Sequence, residues 1–339
     1  MDMKRMVLKA LLLGGGAATP IVLSGLILYF AGAFSEYWFW CFVYTSTFGS
    51  GITWSEAPAN FMEAFPSVLT GFVLLWILAA VGLGLTIFWS RIKQHRFFVL
   101  SFFALSFISV CPGFYFRQHY FILLLPAVAL LIAIALQYAH ELFSKRLAHS
   151  NANLAVVALF AVTVGFSIVR HKPYFFTEST ESISRMLYGP NPFPEDVVIG
   201  KVLESRTKPD DKVVVLGSEP QIYFYSNRRA GSGHVFTYWL VEPNAFAKTM
   251  QEQMIAEIEA SKPKYLIFVN VGMSWAIWPQ SEKLIFQWYE KYGPAYYDLE
   301  GLVDIQIPGK TEYYWDDDAR THSPRADSYI IILKRREAS

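Results

Sequence analysis

The chain has 339 residues, of which 53% are hydrophobic, 17% aromatic and 17% charged, with a formal net charge of +1. Soluble domains carry about 25% charged residues, so the composition excludes an ordinary soluble globular chain and points to a membrane protein. The near-neutral total leaves no basic surplus for a nucleic-acid partner, and it is unevenly divided: residues 1–172 hold 11 Lys/Arg and 5 Asp/Glu, whereas residues 173–339 hold 18 and 23. Two cysteines, Cys41 and Cys111, give neither a disulfide framework nor metal-ligand spacing. One bridge between them is open, and two lone buried thiols are the plainer reading.

A membrane helix needs about 20 apolar residues. Five stretches approach that length: 7–33, 66–89, 97–110, 120–138 and 154–169. The first is too long for a signal-peptide apolar region of about 7–15 residues and lacks an A-x-A cleavage site, so a retained anchor is expected. Lys and Arg concentrate in the N-terminus (Lys4, Arg5, Lys9), in loop 90–96 (Arg91, Lys93, Arg96) and in loop 139–153 (Lys145, Arg146). The alternate connections, 35–65 and 113–119, carry only Arg117. The positive-inside rule then puts the N-terminus in the cytoplasm and everything after residue 169 outside, with the protein in the inner membrane.

The first external loop contains Glu36-Tyr37-Trp38-Phe39-Trp40-Cys41-Phe42-Val43-Tyr44, too aromatic for a solvated loop. It reads as a short helix lying in the membrane interface or as an ordinary aromatic belt. Between the third and fourth stretches, Arg117, His119 and Tyr120 stand at the membrane edge. Charge at such a place is usually functional, though Arg117 is also able to snorkel to headgroups and His119 to pack on the aromatics.

After residue 172 short β-rich runs alternate with amphipathic helices, which predicts a small α/β domain over 173–339. Helices are expected at 195–207 (Val197, Val198, Val202 and Leu203 on one side), 245–260 and 282–292, the last closed by Gly293-Pro294. Strands are expected at 212–217, 264–270, 296–307 and 329–334. The loops Gly217-Ser218-Glu219-Pro220 and Asn270-Val271-Gly272-Met273-Ser274-Trp275 follow strands, where the crevice of such a sheet lies. The whole is thus a polytopic α-helical membrane bundle of about five spans (1–172) followed by a small extracytoplasmic α/β domain (173–339).

The segment Phe116-Arg117-Gln118-His119-Tyr120-Phe121-Ile122-Leu123-Leu124-Leu125-Pro126-Ala127 resembles the C-terminal membrane half of bacterial GT-C glycosyltransferases, the relatives of dolichyl-phosphate-mannose protein mannosyltransferase and of the lipid A aminoarabinose transferase. Ser218-Glu219-Pro220-Gln221-Ile222-Tyr223 and Lys262-Pro263-Lys264-Tyr265-Leu266-Ile267 are similar to that family's tail, and Leu13-Gly14-Gly15-Gly16 to one of its late helices. The resemblance implies transfer of a sugar from a polyprenyl-phosphate donor to an envelope acceptor on the outer face. It gives Arg117 the lipid phosphate, with His119 and Tyr120 beside it. It also implies that the family's N-terminal catalytic loop is missing here, so that the chain is a fragment or works with a separate chain that carries that half.

Acids able to substitute are few. Loop 35–65 has Glu36, Glu56 and Glu63 and no Asp, and Glu56 in Thr53-Trp54-Ser55-Glu56-Ala57-Pro58 is the candidate general base, against a helix-capping role. Asp316-Asp317-Asp318 reads as a solvated turn; no cofactor or metal is expected, without a divalent ion being excluded. Arg228, Arg229 and His234 are possible contacts of the soluble domain, the arginines by default on a solvated face and His234 in a mobile loop. A non-catalytic, membrane-anchored module that binds a glycan or a partner is the competing class. A transporter needs polar groups at mid-bilayer, and these spans have almost none.

Overall fold

The computed structural model describes residues 3–48, 52–307 and 309–337. It is mostly helical with one six-stranded mixed sheet, and it divides into two compact units, the first ending at Phe175 and the second beginning at Phe176.

In the first unit α1 is a 28-residue helix, Met3–Phe30. The aromatic stretch is helical too: α2 Phe34–Trp38, a π-helical turn Phe39–Tyr44 and α3 Thr45–Phe48. Phe34, Trp38 and Phe42 stack along it at 6.2 and 4.6 Å. Then come α4 Ala57–Leu69, α5 Val73–Phe88 and α6 Arg96–Ile108. Short 3-10 turns at Pro112–Phe114 and Gln118–Leu124 lead into α7 Leu125–Ser144, which is followed by α8 His149–Arg170.

The expected span 66–89 is in fact two helices, α4 and α5, bent by 113°. Gly71 makes the corner at φ +83°, where a Cβ would stand 1.7 Å from His171 Nε2, so the turn admits only glycine. Pro66 lies inside α4 and does not begin the span. The 13-residue α6, about 20 Å long at roughly 1.5 Å per residue, falls short of a hydrocarbon core about 30 Å thick. Three helices are long and apolar enough to cross a membrane (Met3–Phe30, Gln118–Ser144 and His149–Arg170), or four if the bent pair counts as one.

The bundle is organised on α5 and α7. Ala79, Gly82 and Thr86 form a small-residue stripe on α5, and a Cβ at Gly82 would lie 1.9 Å from the carbonyl oxygen of Leu131. Backbones approach this closely only where a side chain is missing, which is how apolar helices gain dispersion contact without a hydrophobic driving force. At one end Arg96 donates from Nε to the Thr86 carbonyl (2.9 Å), and Arg91 pairs with Glu141. The basic connections after α5 and after α7 therefore lie at the same end of the helices. At the other end Phe72 stacks on His171 at 5.0 Å.

The second unit contains α9 Thr180–Tyr188, α10 Phe193–Arg206, β1 Lys212–Leu216, α11 Gln221–Ser226, β2 Arg229–Ala230, α12 Tyr238–Val241 and α13 Ala247–Ser261. It continues through β3 Tyr265–Asn270, α14 Gly272–Trp275, α15 Leu284–Tyr296, β4 Tyr297–Asp304, β5 Glu312–Trp315, α16 Asp317–Thr321 and β6 Tyr329–Arg335. The sheet order is β2-β1-β3-β6-β4-β5, parallel among the first three strands and antiparallel beyond. The alternating apolar residues Val213, Val215, Ile267, Val269, Ile330 and Ile332 build the core with Ile199 and Leu203 of α10.

Two sequence expectations change here. The inner face of α10 carries Glu195, Asp196, Ile199 and Leu203, while Val198 is exposed, because the i, i+4 row Glu195-Ile199-Leu203 is the one turned to the sheet. Gly293-Pro294 does not close α15, which runs to Tyr296. A proline in the last turn removes a single amide there, a small loss compared with one in mid-helix.

The α5–α7 contact is testable. Gly82→Val should destabilise the full chain in detergent by about 1–3 kcal/mol or more, the usual cost of overpacking, read as a lower Tm. Gly84→Ala, where nothing stands within 4 Å of the new Cβ, should leave Tm unchanged. Equal Tm for parent and Gly82→Val contradicts the packing.

Candidate functional site

The segment between α6 and α7 is wound through three residues of positive φ: Gly113 (73°), Phe114 (54°) and Phe116 (45°). A phenylalanine in that region costs on the order of 1–3 kcal/mol and persists only if its surroundings hold it. Those surroundings are aromatic. Phe61 of α4 meets Phe107 at 5.7 Å and Phe116 at 5.2 Å edge-on, Phe65 lies 5.8 Å from Phe121, and Trp54 lies 4.6 Å from Phe114. Asn60 Nδ2 donates to the Phe114 carbonyl at 3.4 Å. The strained turn is thereby clamped under α4, and Arg117 emerges from it with extended backbone (φ −60°, ψ 141°).

Arg117 is exposed and lies over the Tyr115 ring at 5.6 Å. Among the described residues it has no hydrogen-bond or ion-pair partner for its guanidinium. It lines a cleft of about 530 Å³ with Asn60, Glu63, Ser67, Tyr115 and Gln118. Gln118 also lines a second cavity, an apolar groove of about 450 Å³ walled by Val68, Phe72, Leu75 and Trp76 on one side and by Phe121, Ile122, Leu125, Val128 and Ile132 on the other. A polar cleft that holds one guanidinium and one carboxylate thus adjoins a greasy groove, with Gln118 common to both.

His119 and Tyr120 do not share this cleft. His119 is exposed and packs edge-on against Tyr120 at 4.7 Å, and Tyr120 turns its ring into the bundle core. Glu56 is committed elsewhere: it accepts from Thr53 N (2.9 Å) and Thr53 Oγ1 (2.8 Å), which hold its carboxyl below the usual range. The acid of the cleft is Glu63. The signal for it was the spacing Asn60, Glu63, Ala64, Ser67, one face of a helix, concealed when 35–65 is read as a loop.

In the second unit Arg228 is buried and not on a solvated face. Its guanidinium donates five hydrogen bonds, to Thr207 Oγ1 and to the carbonyls of Glu204, Thr207, Ser226 and Asn227, closing the C-terminal ends of α10 and α11. Arg229 is exposed, beside Asp210 and Asn227 in a separate cleft of about 470 Å³. His234 is buried in a pinned loop: Ser232 Oγ and Gly233 N both donate to Glu257 on α13, at 2.7 and 2.9 Å. Asp316 accepts a two-pronged contact from Arg206 (2.7 and 2.9 Å), and Asp317 pairs with Arg320. Among the described residues no group of three or more His, Cys, Asp or Glu is arranged to hold a metal ion. Both cysteines are free, Cys41 exposed and Cys111 half-buried, so the expectation of two buried thiols fails for Cys41.

The two post-strand loops do meet. Ser218 N donates to Ser274 Oγ (2.9 Å), Ser274 Oγ donates to Glu219 Oε2 (2.8 Å), and Thr237 N donates to Ser218 Oγ (3.2 Å). Beneath them lie three buried carboxyls that sequence reading missed as a group: Glu219, Asp196 and Glu195. Glu195 binds Arg185 and Thr311, and Asp196 accepts from Gln221, yet Asp196 Oδ1 and Glu195 Oε2 have no partner among the described residues. Burial pushes the Glu219 carboxyl up to about 7. Burial, with Glu219 close by, pushes Asp196 well above the carboxylate range.

No protein-family model, no curated protein and no solved structure matches the chain.

A pH dependence follows. The folded state holds the Glu219 proton more tightly than the unfolded chain does. Unfolding free energy should therefore be greatest below about pH 4.5, fall by about 3 kcal/mol between about 4.5 and about 7, and level off above, as far as this group is concerned. Chemical denaturation of the full chain across that range should show the fall, and Glu219→Gln should make it shallower. An identical slope in the variant contradicts the assignment.

Proposed function

We propose that the chain is a membrane glycosyltransferase-like protein that holds a polyprenyl-phosphate-linked sugar, as its resemblance to GT-C enzymes implies. The observation that carries this reading is the junction at Gln118 between the Arg117 cleft and the apolar groove. An arginine is always charged and forks onto phosphate oxygens, and the guanidinium of this one has no hydrogen-bond or ion-pair partner among the described residues. A lipid phosphate bound there lays its isoprenoid chain along Phe72, Trp76, Phe121 and Ile122. No ordinary soluble anion has use for such a groove.

Transfer then requires a base that takes the proton of an acceptor hydroxyl as its oxygen attacks the anomeric carbon, while the bond to phosphate breaks and the lipid phosphate stays on Arg117. Glu63 is the carboxylate in that cleft. A second reading, a non-catalytic module that binds a glycan or a partner, draws support from the commitment of Glu56 to Thr53, which leaves Glu63 without a second acid beside it among the cleft's lining. In the enzyme reading a separate chain supplies the remaining carboxylate. The proposal includes five passes through the inner membrane, with the short α6 crossing only where the bundle and not lipid surrounds its ends, a cytoplasmic N-terminus and an outer second unit. It is supported by the positive-inside pattern and by the basic connections sharing one end of the bundle.

With the full chain in nanodiscs, Arg117→Ala should weaken binding of a long-chain polyprenyl phosphate by about 10- to 100-fold, the worth of a charge-assisted contact. Glu63→Gln should keep the binding and abolish transfer. Unchanged affinity in Arg117→Ala overturns the site, whereas binding without transfer favours the module only where it persists in native membranes, in which the separate chain of the enzyme reading is present.

A further inference from the structure

The cleft around Arg229 belongs to the second unit and shares no lining residue with the Arg117 cleft. Its lining comes from the turn before β1, from α11 and from the start of β2: Asp210, Tyr223, Phe224, Asn227, Arg228 and Arg229. Phe224 is 79% exposed, because the short α11 turns Ile222, Tyr223 and Ser226 inward and leaves this ring outside. Beside it, the side chains of Asp210, Asn227 and Arg229 make no hydrogen bond or ion pair among the described residues. Their immediate neighbours are fully engaged: Asp211 binds Lys264 Nζ (2.9 Å) and Lys208 N (2.7 Å), and Arg228 makes its five bonds.

The floor of the cleft is fixed. Tyr223 Oη accepts from Val215 N at 2.8 Å, and Asn227 is held in the left-handed region (φ 50°, ψ 43°) with its carbonyl on Arg228. An exposed aromatic ring ringed by an uncommitted carboxylate, amide and guanidinium is a preformed arrangement of one apolar face and a few convergent polar groups. We propose that Asp210, Phe224, Asn227 and Arg229 bind one pyranose ring of a glycan.

The chemistry selects that class. A pyranose offers an apolar C–H face to the phenyl ring and pairs of hydroxyls at its rim, which donate to the Asp210 carboxylate and accept from Arg229 and Asn227. A phosphate would meet Arg229 but leave the exposed face of Phe224 unused, and a metal ion would find one carboxylate where several oxygens are needed.

The test uses the full chain in nanodiscs and saturation-transfer NMR with maltohexaose, cellohexaose and chitohexaose. At least one of them should receive saturation at its ring C–H protons, and Phe224→Ala, an exposed site that the fold tolerates, should weaken its affinity about tenfold, as should Asp210→Asn. Arg117→Ala should leave this binding unchanged, so the outcome stands apart from that of the lipid site. The absence of transfer to all three sugars, or equal affinity in Phe224→Ala, overturns the proposal.

Discussion

The first unit depends on the backbone contact between α5 and α7 at Gly82 and Leu131. Because no Cβ intervenes, the two helices run side by side over much of their length, and the start of α7 is brought against the start of α5. That juxtaposition makes the apolar groove: Phe72, Leu75 and Trp76 come from one helix and its corner, and Leu125, Val128 and Ile132 from the other. The glycine corner at Gly71 then folds α4 across the same end, where its Asn60, Glu63 and Ser67 wall the polar cleft. A larger residue at either glycine would move one wall of the site.

Arg117 is presented by a different physical device. Two phenylalanines in left-handed conformation are unfavourable in isolation, and the rings of Trp54 and Phe61 hold them, Phe61 being backed in turn by Phe107. The cost of the strained turn is offset by aromatic packing, and its product is an exposed guanidinium with no hydrogen-bond or ion-pair partner among the described residues. In the second unit Glu219 and Asp196 are removed from water and stay protonated more readily than exposed acids, and Asp196 Oδ1 has no hydrogen-bond partner among the described residues.

What the sequence disclosed depended on whether a property was local. Apolar length and turn chemistry are local, so the long helices and the strands at 212–217, 264–270 and 329–334 were legible, as was Arg117 at the bundle's edge. The corner at Gly71 was not, because a run of apolar residues reads the same whether it is straight or bent by 113°. Missing that bend hid α4, and with it Glu63. Commitment of side chains was equally hidden for Arg228, which looks like an available charge in sequence and is satisfied by the Glu204 and Thr207 carbonyls that only folding brings close, whereas the partner of Glu56 is the local Thr53. The very short β2 and the four-residue β5 have too little pattern to announce themselves.

The claim that the cleft and the groove hold one amphipathic anion is tested most directly by photo-cross-linking the full chain in nanodiscs with a polyprenyl phosphate carrying a diazirine in its isoprenoid chain. The account predicts labelled peptides at 72–76 and 121–132, with labelling displaced by unlabelled polyprenyl phosphate and not by the uncharged polyprenol. Labelling spread over the lipid-accessible surface of α1, or equal displacement by the alcohol, would contradict it.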